Sequence, residues 1–208
     1  MTPGTRLALA AAVSLAASCA STPPATWSTV RPPEAYVETL PPSAVISVDG
    51  LEVGKGSVSF PVPDDTRTYA LRATAAGFEP LELAVPGARL AGTRIDLVLR
   101  PEGFGSQRKL VAGEPVGLLQ AAVALLRAGR ATDALAFAQA SLAAGESPQG
   151  HKVAGDAWRK LGNREMAVKE WSLYLSLMPD SPDRKVIEHS IATTRRDIEM
   201  SPAKPVVE

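Results

Sequence analysis

The chain has 208 residues, with 22 basic and 22 acidic side chains and a formal net charge of zero. That balance gives no electrostatic bias toward polyanions, so no nucleic-acid partner is expected. Cys19 is the only cysteine, which excludes an intramolecular disulfide and leaves the folded parts to stand on their own cores.

The first element is an apolar run. Arg6 supplies one positive charge, and Leu7 to Ser18 follow as twelve uncharged residues, mostly Ala and Leu. At 1.5 Å per helical residue this covers about 18 Å, well short of the roughly 30 Å hydrocarbon core, so a permanent membrane helix is not expected. The pattern reads as a signal peptide over residues 1–18. Its last residues, Leu15-Ala16-Ala17-Ser18-Cys19, resemble the lipobox of bacterial lipoproteins, with Ala16 standing where that motif usually has Leu. The resemblance implies cleavage before Cys19, acylation of Cys19, and attachment to a membrane through the N-terminal lipid. Ala20 is not the acidic residue that retains many Gram-negative lipoproteins at the inner membrane, so the same resemblance implies an outer-membrane lipoprotein facing the periplasm. The rival reading is a plain signal peptide with an incidental cysteine and a soluble mature chain.

Residues 20–35 contain four prolines and no apolar periodicity. Together with Cys19 they read as a tether, about 50 Å long if fully polyproline-like. Trp27 is its one large apolar residue, with packing onto the folded body or no special role as the favoured readings.

From residue 36 to 101 the pattern has period two. Ala44, Ile46 and Val48 alternate with Val45, Ser47 and Asp49; Tyr69, Leu71 and Ala73 mark a second strand, Leu81, Leu83 and Val85 a third, and Ile95, Leu97 and Leu99 a fourth. Gly, Pro or Asp bounds each one, which predicts a small all-β sandwich or meander. Asp49-Gly50, between an alternating strand and Leu51-Glu52-Val53, predicts a tight hairpin. Pro41 to Ala44, the strand ending in Asp49-Gly50, Gly54, the Tyr69 strand and the Gly77-Phe78 pair together resemble the PEGA domain, a β module of extracytoplasmic proteins. Gly56-Ser57 departs from it, since that family usually has Thr-Pro there. The resemblance implies a β fold and no enzymatic activity.

Residues 102–113, with Gly103, Gly105 and Gly113, read as a linker, and helical periodicity follows. Superposing Gly129 on Gly162 exposes a repeat of 33 residues: Ala121 matches Ala154, Ala122 Gly155, Leu125 Trp158 and Ala134 Ala167. A period of this size marks stacked supersecondary units. Gly155, Trp158, Gly162, Ala167, Trp171, Tyr174 and Pro179 resemble the tetratricopeptide repeat, which implies two repeats, 115–147 and 148–181, each a helical hairpin. Small residues let helices approach and large ones fill the grooves, so Trp158, Trp171 and Tyr174 are expected in the core. Ser181-Pro182 predicts the start of a closing helix, and residues 200–208 a disordered tail. The expected class is therefore α+β in two modules, a PEGA-like β part followed by an all-α stack of TPR-like helical hairpins.

The helix Val116–Ala128 is apolar nearly all round, with only Gln120 and Arg127 polar, and such a helix is buried. The repeat resemblance places Val116, Leu119, Val123 and Leu126 on a concave groove, with Lys152, Asp156, Arg159 and Lys160 from the equivalent helix. Two repeats are fewer than an independent solenoid needs, so the apolar half of that groove is expected to be covered by the β module or by a partner.

No catalytic constellation is legible. His151 and His189 lie 38 residues apart without nearby ligand-spaced groups, and both are expected at solvent-facing or edge positions. No metal, no cofactor and no enzymatic activity are expected. What remains is binding: a lipid-anchored envelope scaffold or assembly factor that holds another envelope protein through its helical module. The alternative is a structural lipoprotein whose β module contacts cell-wall glycan.

Overall fold

Alternation of small and branched apolar residues organises the first half of the computed structural model, which describes residues 31–105 and 110–200. Seven strands form, at Glu34–Leu40 (β1), Val45–Val48 (β2), Leu51–Lys55 (β3), Ser57–Pro61 (β4), Thr68–Thr74 (β5), Leu81–Pro86 (β6) and Arg94–Val98 (β7), with a single helical turn, α1, at Gly87–Leu90. They make two sheets, ordered β4-β1-β7 and β3-β2-β5-β6. β1 lies at the centre of the first sheet, antiparallel to β4 and parallel to β7, with Val37 opposite Ile95 and Thr39 opposite Leu97.

The alternating sets point inward as their period requires. Ala44, Ile46 and Val48, then Tyr69, Leu71 and Ala73, are all buried. Between Asp49-Gly50, both at positive φ, and Arg67 the turn is reinforced: Asp49 Oδ1 accepts from the Ala70 N–H at 2.9 Å and Oδ2 pairs with Arg67. The third alternating segment behaves differently. β6 is an edge strand, so Leu83 stays 38% exposed although it faces the sandwich interior.

β3 is the second arm of the predicted Asp49-Gly50 hairpin, and β1 and β4 are additions to the four alternating strands. β1 starts at Glu34, inside the segment read as tether, because Ala35 is fully buried opposite Phe60. β3 runs into β4 through a bend at Gly56, which carries the chain from the second sheet to the first. Buried Thr39 secures that crossing, its hydroxyl lying 3.0 Å from the Gly56 carbonyl and 3.1 Å from that of Pro41.

Five helices follow, at Pro115–Arg127 (α2), Ala131–Ala144 (α3), Pro148–Lys160 (α4), Arg164–Leu177 (α5) and Arg184–Met200 (α6). The 33-residue repeat appears as two hairpins, α2–α3 and α4–α5. Gly129 and Gly162 end the first helix of each at φ near +80°, where a side chain would be strained. In both, the residue after the glycine donates back to the helix, Arg130 to the Leu125 carbonyl at 2.9 Å and Asn163 to that of Trp158 at 3.0 Å. Ser147 and Asn163 cap α4 and α5 through their side chains.

The closing helix begins at Arg184, two residues later than Ser181-Pro182 predicts. The turn at Ser181–Asp183 takes up the difference, and the Asp183 carbonyl accepts the first helical bond, from Ile187. Among the described residues no helix is long and apolar enough to cross a membrane.

One continuous core runs from the sheets into α2, α3 and the inner side of α4, taking in Val37, Leu71, Leu99, Leu118, Leu125, Phe137 and Ala157. Phe78 of the β part stacks on Phe137 of α3, with centroids 6.0 Å apart. Arg130 locks the same point: its guanidinium lies 4.3 Å from the Phe78 ring centre, donates to the Gly77 carbonyl at 2.8 Å, and forks onto Asp133. The segment read as a linker joins this core at both ends, through buried Phe104 and Leu110.

A second, smaller core of Ala167, Trp171, Tyr174, Ile187 and Ile191 holds α5 and α6, and Trp158 bridges the two. Trp171 and Tyr174 are buried, as expected. Trp171 sets the residue opposite it, because a β-carbon on Gly155 would come within 2.5 Å of the indole ring.

Candidate functional site

α2 carries two adjacent apolar stripes with different fates. Leu118, Ala121, Ala122 and Leu125 are buried in the continuous core, whereas Leu119, Val123 and Leu126 are only half-buried. The continuous core therefore takes in the first stripe and leaves the second only partly covered.

That second stripe floors a cavity of about 810 Å³ between α2, α4 and the Phe104-Gly105 segment. Val153 and Phe104 complete the apolar lining, and Gln120, Arg127, Gln149, Lys152 and Asp156 supply polar groups. An apolar cleft with a few polar groups is the usual form of a binding site.

Of the eight residues predicted for the groove, Leu119, Val123, Leu126, Lys152 and Asp156 converge here. The other three do not line the cavity. Val116 sits 52% exposed in the first turn of α2, and Arg159 and Lys160 are exposed in the last turn of α4. Phe104 escaped the sequence reading because it lies among glycines in a segment read as linker.

The two charged residues of the cavity wall also have structural work. Lys152 pairs with Asp183 at the start of α6, and Asp183 accepts from Tyr174 and Ser181 as well. These hydrogen bonds, the one from Lys152 foremost, hold the Asp183 carboxyl well below the usual carboxylate range. The same bond raises Lys152 against the opposing effect of its burial. Burial pushes Asp156 up, countered in part by the Trp171 indole N–H, which donates to Oδ1 at 3.0 Å.

His151 departs from expectation. It is buried rather than solvent-facing, because Gly150 and Gly155 let α4 sit close to its neighbours and carry the ring inward. Its Nδ1 meets Glu170 Oε2 of α5 at 2.7 Å. His189 is exposed on α6, in keeping with the edge position expected for it.

A smaller cleft of about 340 Å³ lies between the outer face of β1 and β7 and helices α2 and α3, with the Glu38–Arg94–Asp96 ion pairs along one side. Among the described residues no cluster of three His, Asp or Glu side chains has metal-binding geometry. Cys19, the lipidation candidate, lies outside the described residues. No protein-family model and no curated protein matches the chain.

Proposed function

We propose that this chain is a lipid-anchored protein of the bacterial cell envelope that holds another envelope protein in the groove between α2 and α4. The observation that carries this reading is the cavity itself. Its floor is the apolar stripe of α2 that the shared core leaves only half-buried, although α2 is apolar nearly all round. Half-buried Leu119, Val123 and Leu126 offer apolar area worth about 25 cal/mol per Å² to whatever covers them.

The anchor half of the proposal rests on the lipobox-like Leu15 to Cys19. The paired helical hairpins and the small-residue positions Ala121, Ala122, Ala154 and Gly155 support a tetratricopeptide-like stack. The Asp49-Gly50 hairpin and buried Phe78 support a PEGA-like β part.

Photo-crosslinking in intact cells tests the groove. A crosslinker at Val123 should trap one defined envelope protein, a crosslinker at Leu51, exposed on the β2–β3 hairpin, should not, and Val123→Glu should abolish recovery of that protein from envelope extract. Sedimentation with isolated peptidoglycan that survives Val123→Glu, with no crosslink from the groove, would favour the glycan-contacting alternative and overturn this one. Cys19→Ser should release the protein from the membrane fraction without changing its melting temperature.

A further inference from the structure

We propose that His151 and Glu146 form an acid-closed clasp across the junction between the two helical hairpins. His151 is buried near the start of α4, its side chain 10% exposed, with one carboxylate at each ring nitrogen. Nδ1 lies 2.7 Å from Glu170 Oε2, on α5, the other helix of the same hairpin. A carboxylate can only accept, so Nδ1 carries the proton in the neutral ring. Nε2 is then a bare lone pair. It is buried and without a hydrogen bond, and it faces Glu146 Oε1 at 3.6 Å. Two acceptors face each other across that gap and draw no stabilisation from it.

Protonation changes the sign of the contact. An imidazolium donates from both nitrogens, so Nε2–H gains an acceptor already in place, and the buried orphan is satisfied. Glu146 lies in the connection between α3 and α4 and is 71% exposed, free to close on the ring in acid and swing to solvent at higher pH.

Among the described residues His151 pairs with no carboxylate but these two. The only ionisable residue of α3, Asp133, is engaged with Arg130 near the opposite end of that helix. On α4, Lys152 is committed to Asp183 and Asp156 to Trp171; on α5, Lys169 beside Glu170 is exposed. The clasp ties the α3–α4 connection to α4 and, through Glu170, to α5. It does not depend on whether the groove holds a partner.

The bond from Nε2–H to Glu146 exists only with the ring protonated, so the stability it adds is present in acid and absent in base. Thermal melts of the purified full chain and of Glu146→Gln, from pH 8 to pH 5.5, test it. The two should melt together at pH 8, and the variant should melt about 2 °C lower at pH 5.5, the shift a partly exposed ion pair gives in a domain of this size. Glu146 is exposed, so the variant folds. With His189→Gln as background, the remaining histidine ring signals belong to His151, and Glu146→Gln should alter their pH response. Parallel melting curves at every pH, with an unchanged ring titration, would overturn the proposal.

Discussion

The two helical hairpins share a 33-residue period and the same glycine-ended first helix, yet they are held by different means. α2 and α3 pack with alanines, leucines and Phe137 against each other and against the sheets, as part of one continuous core. α4 still gives its inner side, Val153, Ala154 and Ala157, to that core, but α5 closes over a small core of its own with α6, where polar contacts surround the aromatic rings. Lys152, Tyr174 and Ser181 converge on Asp183, Asp156 takes the Trp171 indole N–H, and His151 meets Glu170. A hairpin that borrows a neighbour's core can be built of small side chains. One at the end of the stack needs large rings and directed hydrogen bonds to fix its last helix.

The sharpest way to break this contrast is to remove the ring at the centre of the outer core. Trp171→Ala should cost about 4 kcal/mol in urea unfolding, and amide exchange should show α5 and α6 opening while the strands stay protected. Phe137→Ala should cost about 3 kcal/mol, but there the loss of protection should spread to the β strands, since Phe137 stacks on Phe78. Equal spreading in both variants would mean that the two cores unfold as one.

Asp183→Asn should cost about 2 kcal/mol at neutral pH, because it weakens three hydrogen bonds to a charged acceptor. Asp183 is held below its ordinary carboxylate range, so its contribution is full above about pH 4 and disappears as acid protonates it in the folded chain. The gap between wild type and variant should therefore narrow as pH falls below 4. The smallest effect is expected at the junction with the β part. Arg130→Leu should cost about 1 kcal/mol, since the leucine keeps apolar contact with Phe78 while the bond to the Gly77 carbonyl, the pairing with Asp133 and the cation over the ring are lost.

Much of this was legible in the sequence where a period was long enough to repeat. The alternation around Ile46 and Leu71 revealed two interior strands, and the Gly129–Gly162 spacing revealed both hairpins. β4 was not legible, because of its five residues only Phe60 is buried and Pro61 ends it. β1 was hidden because prolines precede it, while its pairing with β7 joins residues more than fifty positions apart. In the groove, the repeat resemblance singled out Leu119, Val123 and Leu126 together with Lys152 and Asp156, but not the partners that the two charged residues hold. Lys152 and Asp156 spend their charge on Asp183 and Trp171, partners that no local pattern reveals. His151 was misplaced for a related reason, since its burial depends on glycines on its own helix and a carboxylate nineteen residues away.

The place of β1 also has a mechanical consequence. It is the first strand among the described residues, and it is laced on both sides, to β4 and to β7. A pull arriving from the N-terminal side runs along β1 and must shear two ladders of hydrogen bonds together, where an edge strand would peel off one bond at a time. The strand nearest the proposed tether is thus the one best placed to bear load.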